Sequence, residues 1–341
     1  MITAPRSVRG PVTGPPHEHP LPTGGDPVTA TTAEAPAVES APPRRIGDSV
    51  FRNAALGAAL LVILFLAGVA IFLVIKGVPA LEAEPEHLSG RGSLLGLVGA
   101  LLFGTVLASV IAMVIVTPLA IGLGLVISHY APRRLAKPVG FLVDLLAAVP
   151  SVVFGLWGLI VLAPYLVPTH EWLVRYLGWL PFFDGPASQT ARTLLTASIV
   201  LALMALPIVT AIMREVFAQT PRSHQEAALA LGATRWEMIR MAVLPYGRSG
   251  MVAALLLGLG RALGETMAVA MVLSATGVIV SLDTVSSQNS NTIAAFIAQG
   301  YKEASPIKVS ILIFAGLALF LLTFLVNFLG RWIAARGVVK A

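Results

Sequence analysis

Long apolar stretches alternate with short polar ones from residue 54 to residue 329. Six stretches can be drawn, at 54–75, 94–128, 139–166, 193–213, 251–279 and 309–329. Each is long enough to cross the roughly 30 Å hydrocarbon core of a bilayer, which takes about 20 helical residues. The pattern predicts an all-α polytopic membrane protein with six transmembrane helices.

The second stretch, 94–128, is too long for one upright crossing and too short for two crossings joined by a turn. We predict one long helix that is tilted or bent, with Pro118 and the pair Gly122 and Gly124 at the bend.

The composition also indicates a protein embedded in lipid, because 56% of the residues are hydrophobic, 12% are charged and the mean hydropathy is +0.85. The chain has no cysteine, which excludes disulfides and cysteine-ligated metals. The net charge of +6 is scattered over short loops, so it does not indicate nucleic acid. Residues 1–45 are rich in proline, threonine and glycine and are expected to form a disordered cytoplasmic tail.

Lysine and arginine favour the cytoplasmic loops of membrane proteins. Most of the basic loop residues of this chain fall on one side when the amino terminus is placed inside. Both termini and the polar loop at 214–249 are therefore expected in the cytoplasm. The polar segment 283–306 then lies outside, where it could meet a solute-binding protein, although nothing in it specifies one.

The polar segment 226–245 carries the signals of two short helices. Thr234 and Glu237 have the spacing of a capping box, in which each side chain bonds the other residue's backbone N–H. Gly232 precedes them and can end the first helix in a left-handed conformation. The segment predicts a compact helical knob outside the lipid that could fit a groove on a partner.

This segment resembles the EAA loop of ABC importer permeases, which docks onto a cytoplasmic ATPase. The resemblance rests on Glu226-Ala227-Ala228, Gly232 and the run Ala242-Val243-Leu244-Pro245. Residues 260–268, GRALGETMA, narrow it to permeases of Pst-type phosphate importers, and to the PstC kind in particular. The resemblance implies that the ATPase-coupling loop includes Glu226, Ala227, Gly232, Arg235, Trp236 and Pro245.

Arg261 and Glu265 place two charges within the fifth apolar stretch. A charge near the centre of a membrane helix costs on the order of 3 kcal/mol on insertion scales, so such residues usually have a function. Four residues apart on one helix, the two can face each other, and an arginine fork matches phosphate oxygens. We predict that they line a substrate pathway together with Thr266; a structural ion pair between helices is the alternative.

The third stretch adds Asp144 and Ser151, which are seven residues apart and are expected on one helical face. The hydroxyl of Ser151 can donate a hydrogen bond to phosphate. Asp144 suits an anion pathway poorly, and pairing with an arginine, or a position near the cytoplasmic end of the helix, fits it better. Both residues are kept as candidates for the pathway.

The resemblance implies a type I ABC importer permease fold, also called MetI-like, with a five-helix core at 94–333. Residues 46–93 would form the first transmembrane helix and an outer loop, and residues 334–341 a cytoplasmic tail. The implied partners are a PstA-like second permease, two copies of a PstB-like cytoplasmic ATPase, a PstS-like extracytoplasmic phosphate-binding protein and the lipid of a bacterial plasma membrane.

The chain itself is expected to be a non-catalytic subunit. Its sequence has no Gly-x-x-x-x-Gly-Lys-Ser/Thr motif, so ATP and Mg²⁺ are expected on the ATPase subunits, with no cofactor, metal or catalytic residue here. Two other functions remain open. One is a permease of the same fold for sulfate or molybdate, and the other is a passive channel or membrane scaffold.

Overall fold

The structure is a computed structural model that describes residues 46–88, 92–274 and 278–338. Every regular element in these ranges is helical. The predicted tail at 1–45 and residues 339–341 lie outside them. The α-helices are α1 (Ile46–Gly77), α2 (Leu94–Leu125), α3 (Arg133–Ala147), α4 (Ser151–Trp157), α5 (Ala163–Leu177), α6 (Leu194–Ala218), α7 (Arg222–Ala230), α8 (Arg235–Met238), α9 (Leu244–Tyr246), α10 (Arg248–Leu263), α11 (Met267–Val272), α12 (Ile293–Gly300) and α13 (Pro306–Val338).

Five helical segments in the described ranges are long and apolar enough to cross a membrane. They are Ser49–Glu82, Leu94–Tyr130, Ser151–Leu177, Leu194–Ala218 and Pro306–Ile333. A sixth is obtained if Arg235–Tyr246 and Arg248–Leu263, which meet at a bend of 71°, count as one span. The expected polytopic helical protein is confirmed, and its second span is one long helix as predicted.

Contacts divide the chain into two units, Met1–Ala58 and Ala59–Ala341. Within the second unit, α6 is the central helix, and Val209, Met213 and Phe217 on it are fully buried. Its neighbours are α2, α3 and α10. We call the end of α6 at Ala218, from which the segment 219–247 extends, the coupling side, and the end at Leu194 the far side.

Small residues let the neighbouring helices approach α6 closely. Gly250 on α10 lies against Val216, and Gly258 lies against Val209, so α10 runs antiparallel to α6. The helices α6 and α2 both start on polar N-caps. Thr193 accepts a hydrogen bond from the N–H of Thr196 at the start of α6, and Ser93 accepts one from Gly96 at the start of α2.

Two of the predicted spans are interrupted. The stretch 139–166 was expected to be one helix, but α3 ends at Ala147 and α4 begins at Ser151, after Pro150. A proline has no N–H to donate and disfavours helical geometry in the residue before it. The stretch 251–279 is likewise not one helix, because α10 ends at Leu263 and α11 begins only at Met267.

The polar segment 278–292 is largely buried on the far side. Asn289 and Ser290 are 1% and 0% exposed. The backbone of Asn291 packs so closely against Gly104 of α2 that a Cβ atom on residue 104 would collide with it. The expected outer segment, 283–306, is thus buried over much of its first part, and its contact with a binding protein stays a prediction.

Candidate functional site: a coupling loop and two adjoining helix breaks

The segment between α6 and α10 forms the predicted pair of short helices. Gly232 has a φ of +84°, in the left-handed region. Its N–H donates to Leu229 O at 3.0 Å, and the N–H of Ala233 donates to Ala228 O at 3.2 Å. This pair of bonds is the Schellman arrangement, in which a glycine closes a helix and satisfies its last carbonyls. The predicted hinge at Gly232 is confirmed.

The second helix begins with the predicted capping box. The hydroxyl of Thr234 accepts a hydrogen bond from the N–H of Glu237 at 3.3 Å. In return, Oε2 of Glu237 accepts from the N–H of Thr234 at 2.8 Å. Both turns of the loop are thus held by hydrogen bonds between residues close in sequence.

One side of the loop is buried in the protein and the other is exposed. Met238, Ile239 and Val243 belong to the same apolar cluster as Phe217 of α6. On the outer side, Leu231 is 90% exposed. All six residues of the predicted coupling site are exposed as well: Glu226, Ala227, Gly232, Arg235, Trp236 and Pro245. The loop is therefore a firmly anchored knob with an apolar tip.

From this knob, α10 leads to the predicted pathway. Its 16 residues span about 24 Å, and Arg261 lies in its last turn. Because Gly258 faces Val209, Arg261 lies about level with Leu206, halfway along α6. The side chain of Arg261 is exposed, and within the described ranges it forms no ion pair. An arginine is therefore exposed at mid-depth of the bundle.

Glu265 and Thr266 lie in the break between α10 and α11. Oε1 of Glu265 accepts a hydrogen bond from the N–H of Ala268 at 3.2 Å, and the hydroxyl of Thr266 donates to Gly264 O at 3.2 Å. Glu265 thus bonds the first turn of α11 and forms no ion pair with Arg261, although the two residues were expected to face each other on one helix. The expectation failed because the helix that would have placed the two residues on one face ends before Glu265.

The break before α4 adjoins the break before α11. A Cβ atom on Gly155 of α4 would lie 2.7 Å from Cα of Ala268. A Cβ atom on Gly158, the residue after α4, would lie 3.2 Å from Cγ2 of Val272. The two helices therefore run side by side in the same direction. Their first residues, Ser151 and Met267, lie within about one helical turn of each other along the axis. The structure brings Ser151 to the level of Glu265 and Thr266.

Asp144 lies elsewhere, towards the coupling side. Its Oδ2 is 3.5 Å from Nη2 of Arg214 on α6, and Gly140 leaves room for that guanidinium. The predicted pairing of Asp144 with an arginine is confirmed. Its expected place on one helical face with Ser151 is wrong, because Pro150 separates their helices. Arg214 was missed, since nothing in the spacing of the sequence links residues on two different helices.

Comparison with known proteins gives consistent matches. Residues 117–337 match the family described as "Binding-protein-dependent transport system inner membrane component". The "Phosphate transport system permease protein PstC 2" of Mycobacterium tuberculosis is 48% identical over 316 residues, which cover 89% of this chain and 96% of that protein. The PstC proteins of Mycobacterium leprae and Mesorhizobium japonicum are 43% and 37% identical, over 85% and 91% of this chain and 94% and 98% of theirs.

Among solved structures, a chain of the MetNI methionine ABC transporter in an inward-facing conformation aligns with a TM-score of 0.47 and 18% identity. The alignment covers 70% of this chain and 94% of that chain. The family match spans the described helices from the end of α2 through α13. The chain is therefore a multi-pass inner-membrane permease that belongs to the binding-protein-dependent transport system inner membrane components, and among them to the PstC phosphate transport system permease proteins.

Proposed function

We propose that this chain is the membrane subunit of an ATP-driven importer of inorganic phosphate and forms half of its translocation pathway. The observation that carries the proposal is the exposure of Arg261 at mid-depth of the bundle. An exposed arginine at mid-depth of a membrane bundle is tenable only beside water, a partner chain or an anion. Its position near two helix breaks supports a pathway, because interrupted helices in transporters commonly surround the substrate site.

Phosphate is favoured over the other oxyanions by the names of the relatives, each of which is a phosphate transport system permease protein. The guanidinium of Arg261 can bond two phosphate oxygens at once. The hydroxyl of Ser151 adds a donor near the same level, and the carboxylate of Glu265 limits how strongly the anion is held. A site that binds too tightly would not release its ion.

The coupling loop supplies the link to ATP. Leu231 and Trp236 are 90% and 55% exposed, and apolar groups of this size at the tip of a knob favour burial against another protein. We infer that two PstB-like ATPase subunits, which bind the ATP and Mg²⁺, hold this loop and that of a PstA-like second permease. A PstS-like protein would deliver phosphate from the far side.

Force applied to the loop has a direct route to the pathway. Met238, Ile239 and Val243 fix the knob to the apolar cluster around Phe217, and α10 follows immediately after α9. Movement of the knob therefore displaces α10 and the break at its end together, which exposes the pathway to one side of the membrane at a time. In this arrangement the coupling side and both termini face the cytoplasm.

The test is uptake of radiolabelled phosphate by the complete transporter in proteoliposomes, with and without ATP. We expect Arg261→Gln to reduce ATP-dependent uptake at least about tenfold, because a bidentate charged contact is lost, while the ATPase still co-purifies. Arg248→Gln, at the other end of the same helix and also exposed, is the matched control and should transport normally.

Three results would contradict the proposal in different ways. Unchanged uptake by Arg261→Gln would remove the residue from the pathway. Equal uptake without ATP would indicate a passive channel. Uptake of sulfate or molybdate in preference to phosphate would indicate a permease of the same fold for another oxyanion.

A further inference from the structure

A cavity of about 600 Å³, whose wall is partly polar, opens on the far side, between the segments 186–190 and 279–288. We call this cavity the vestibule. Most of its polar lining consists of hydroxyl and amide side chains, namely Gln189, Thr190, Ser281, Ser286, Ser287 and Gln288. A second cavity of about 570 Å³ shares Gln189 and Thr190 with it and has Arg192 in its wall. The vestibule is therefore rich in groups that can donate hydrogen bonds.

Several of these donors are not used within the protein. Oγ of Ser281 accepts from the N–H of Asp283 at 3.0 Å, which leaves its own proton to donate. The side-chain amides of Gln189 and Gln288 are exposed and make no hydrogen bond to any other described residue. The vestibule thus offers at least three neutral donors to a ligand.

Arg192 adds a cation that is already held in place. Its Nη2 donates to the carbonyls of Met271 and Leu273, at 3.3 and 3.5 Å. Its Nε is buried and finds no acceptor among the described residues. The charge of the guanidinium adjoins the second cavity, where it attracts an oxyanion. The donors and the cation together suit an anion with several oxygens.

Asp283 is an exception among these groups, since it is a carboxylate in the wall of the same vestibule. Its Oδ1 accepts from the N–H of Val285 at 3.1 Å. Its Oδ2 lies against Gly185 and has no hydrogen-bond partner in the described part of the chain. This oxygen repels an anion that has only acceptor atoms, whereas it can accept a hydrogen bond from an anion that carries a hydroxyl group.

Phosphate near neutral pH retains at least one P–OH group, and sulfate carries none. We propose that the vestibule is an access site for inorganic phosphate, in which Asp283 excludes oxyanions that lack a proton. This proposal rests on the proposed function. It places a first contact at the far end of α6, before the ion reaches Arg261 at mid-depth, and it gives the permease a filter of its own beside any binding protein.

The test measures binding of radiolabelled inorganic phosphate to the purified permease and ATPase subunits in nanodiscs, without the binding protein, by equilibrium dialysis. All samples carry Arg261→Gln, so that the vestibule is measured without the mid-depth site. Sulfate and arsenate are the competitors. We expect arsenate, which keeps a hydroxyl group, to displace phosphate and sulfate not to do so.

Asp283→Asn keeps an oxygen for the N–H of Val285 but removes the charge. The preference for phosphate over sulfate should then fall at least about tenfold. Asp184→Asn is the matched control, because Asp184 is an exposed acid of the same region outside the vestibule lining, and it should change nothing. Arg192→Gln should weaken phosphate and arsenate binding alike, by about tenfold.

Sulfate that still fails to compete after Asp283→Asn would overturn the role of the carboxylate. Unchanged phosphate binding after Arg192→Gln would overturn the role of the cation. If Asp283→Asn does not fold, Asp283→Glu should fold and still exclude sulfate, and loss of exclusion there would also contradict the proposal. Failure of the proposed function would show separately, in the uptake assay of the complex with Arg261 intact.

Discussion

Two polar segments lie at opposite ends of α6 and differ in how they are held. The coupling loop, 222–246, is mostly exposed and is bonded to itself, as Thr234 and Glu237 are only three residues apart. The far-side segment, 278–292, is mostly buried and is bonded to distant parts of the chain. The N–H of Ile293, which directly follows it, donates to Thr105 at a separation of 188 residues.

The difference shows which segment can act as a moving part. A loop whose hydrogen bonds are internal can move as one body without losing them, which suits a knob that receives force. A segment held by α2 and by residues 182–195 cannot move without breaking buried bonds, each of which costs about 1–3 kcal/mol. The far-side segment therefore suits a fixed wall, such as that of the vestibule.

The largest expected effect comes from crowding the far-side segment. Gly104→Val would place side-chain atoms against the backbone of Asn291 and should lower the free energy of unfolding by about 2–3 kcal/mol. The measurement is thermal unfolding of the purified complex. Gly99→Val is the control on the same helix, where a Cβ meets nothing within 4 Å. Equal stability of the two variants would mean that the far-side segment is not fixed by α2.

A smaller loss is expected from removing one long-range bond. Thr105 is 1% exposed, and its hydroxyl accepts from the N–H of Ile293 at 3.0 Å. Thr105→Val leaves that N–H unpaired and should cost about 1–2 kcal/mol by the same measurement. Thr117→Val, which loses only a bond to its own helix, should cost less, and Thr105→Ser should restore stability. A cost at Thr117 equal to that at Thr105 would rule out the long-range bond as the cause.

The smallest effect on stability is expected in the coupling loop. Thr234→Ala removes the cap of α8 and should cost about 1 kcal/mol locally, while unfolding of the complex changes by less than about 0.5 kcal/mol. Hydrogen exchange at the N–H of Glu237 should accelerate several-fold, and ATP-dependent uptake should decrease. Ser223→Ala, in the first turn of α7, serves as the control. A large fall in the unfolding temperature would show that the loop is not self-contained.

The same contrast explains what the sequence could predict. The hinge at Gly232 and the capping box at Thr234 depend on residues within a few positions of each other, so they were predicted correctly. The burial of 278–292 depends on Gly104 and Thr105, far away in the chain. No local pattern contains that information, and the sequence indicated only a polar segment, 283–306, on the outer side.

The helix breaks are an intermediate case. Pro150 was present as a signal, and Gly264 is of the residue type that most often ends helices. Because the sequence around Pro150 and Gly264 is continuously apolar, an unbroken helix was predicted at each place. As a result, the geometry predicted for the pathway residues was wrong: Glu265 was expected to face Arg261 on one helix, whereas its side chain bonds the start of α11.

Exposure of Arg261 at mid-depth also has a consequence for biosynthesis. A single chain that enters the bilayer without its partner must place this guanidinium against lipid, at a cost on the order of 3 kcal/mol on insertion scales. Surplus copies would therefore be poorly inserted and exposed to membrane proteases. If the proposed second permease is its partner, we expect the cell to make the two chains in matched amounts and to insert them close together in time.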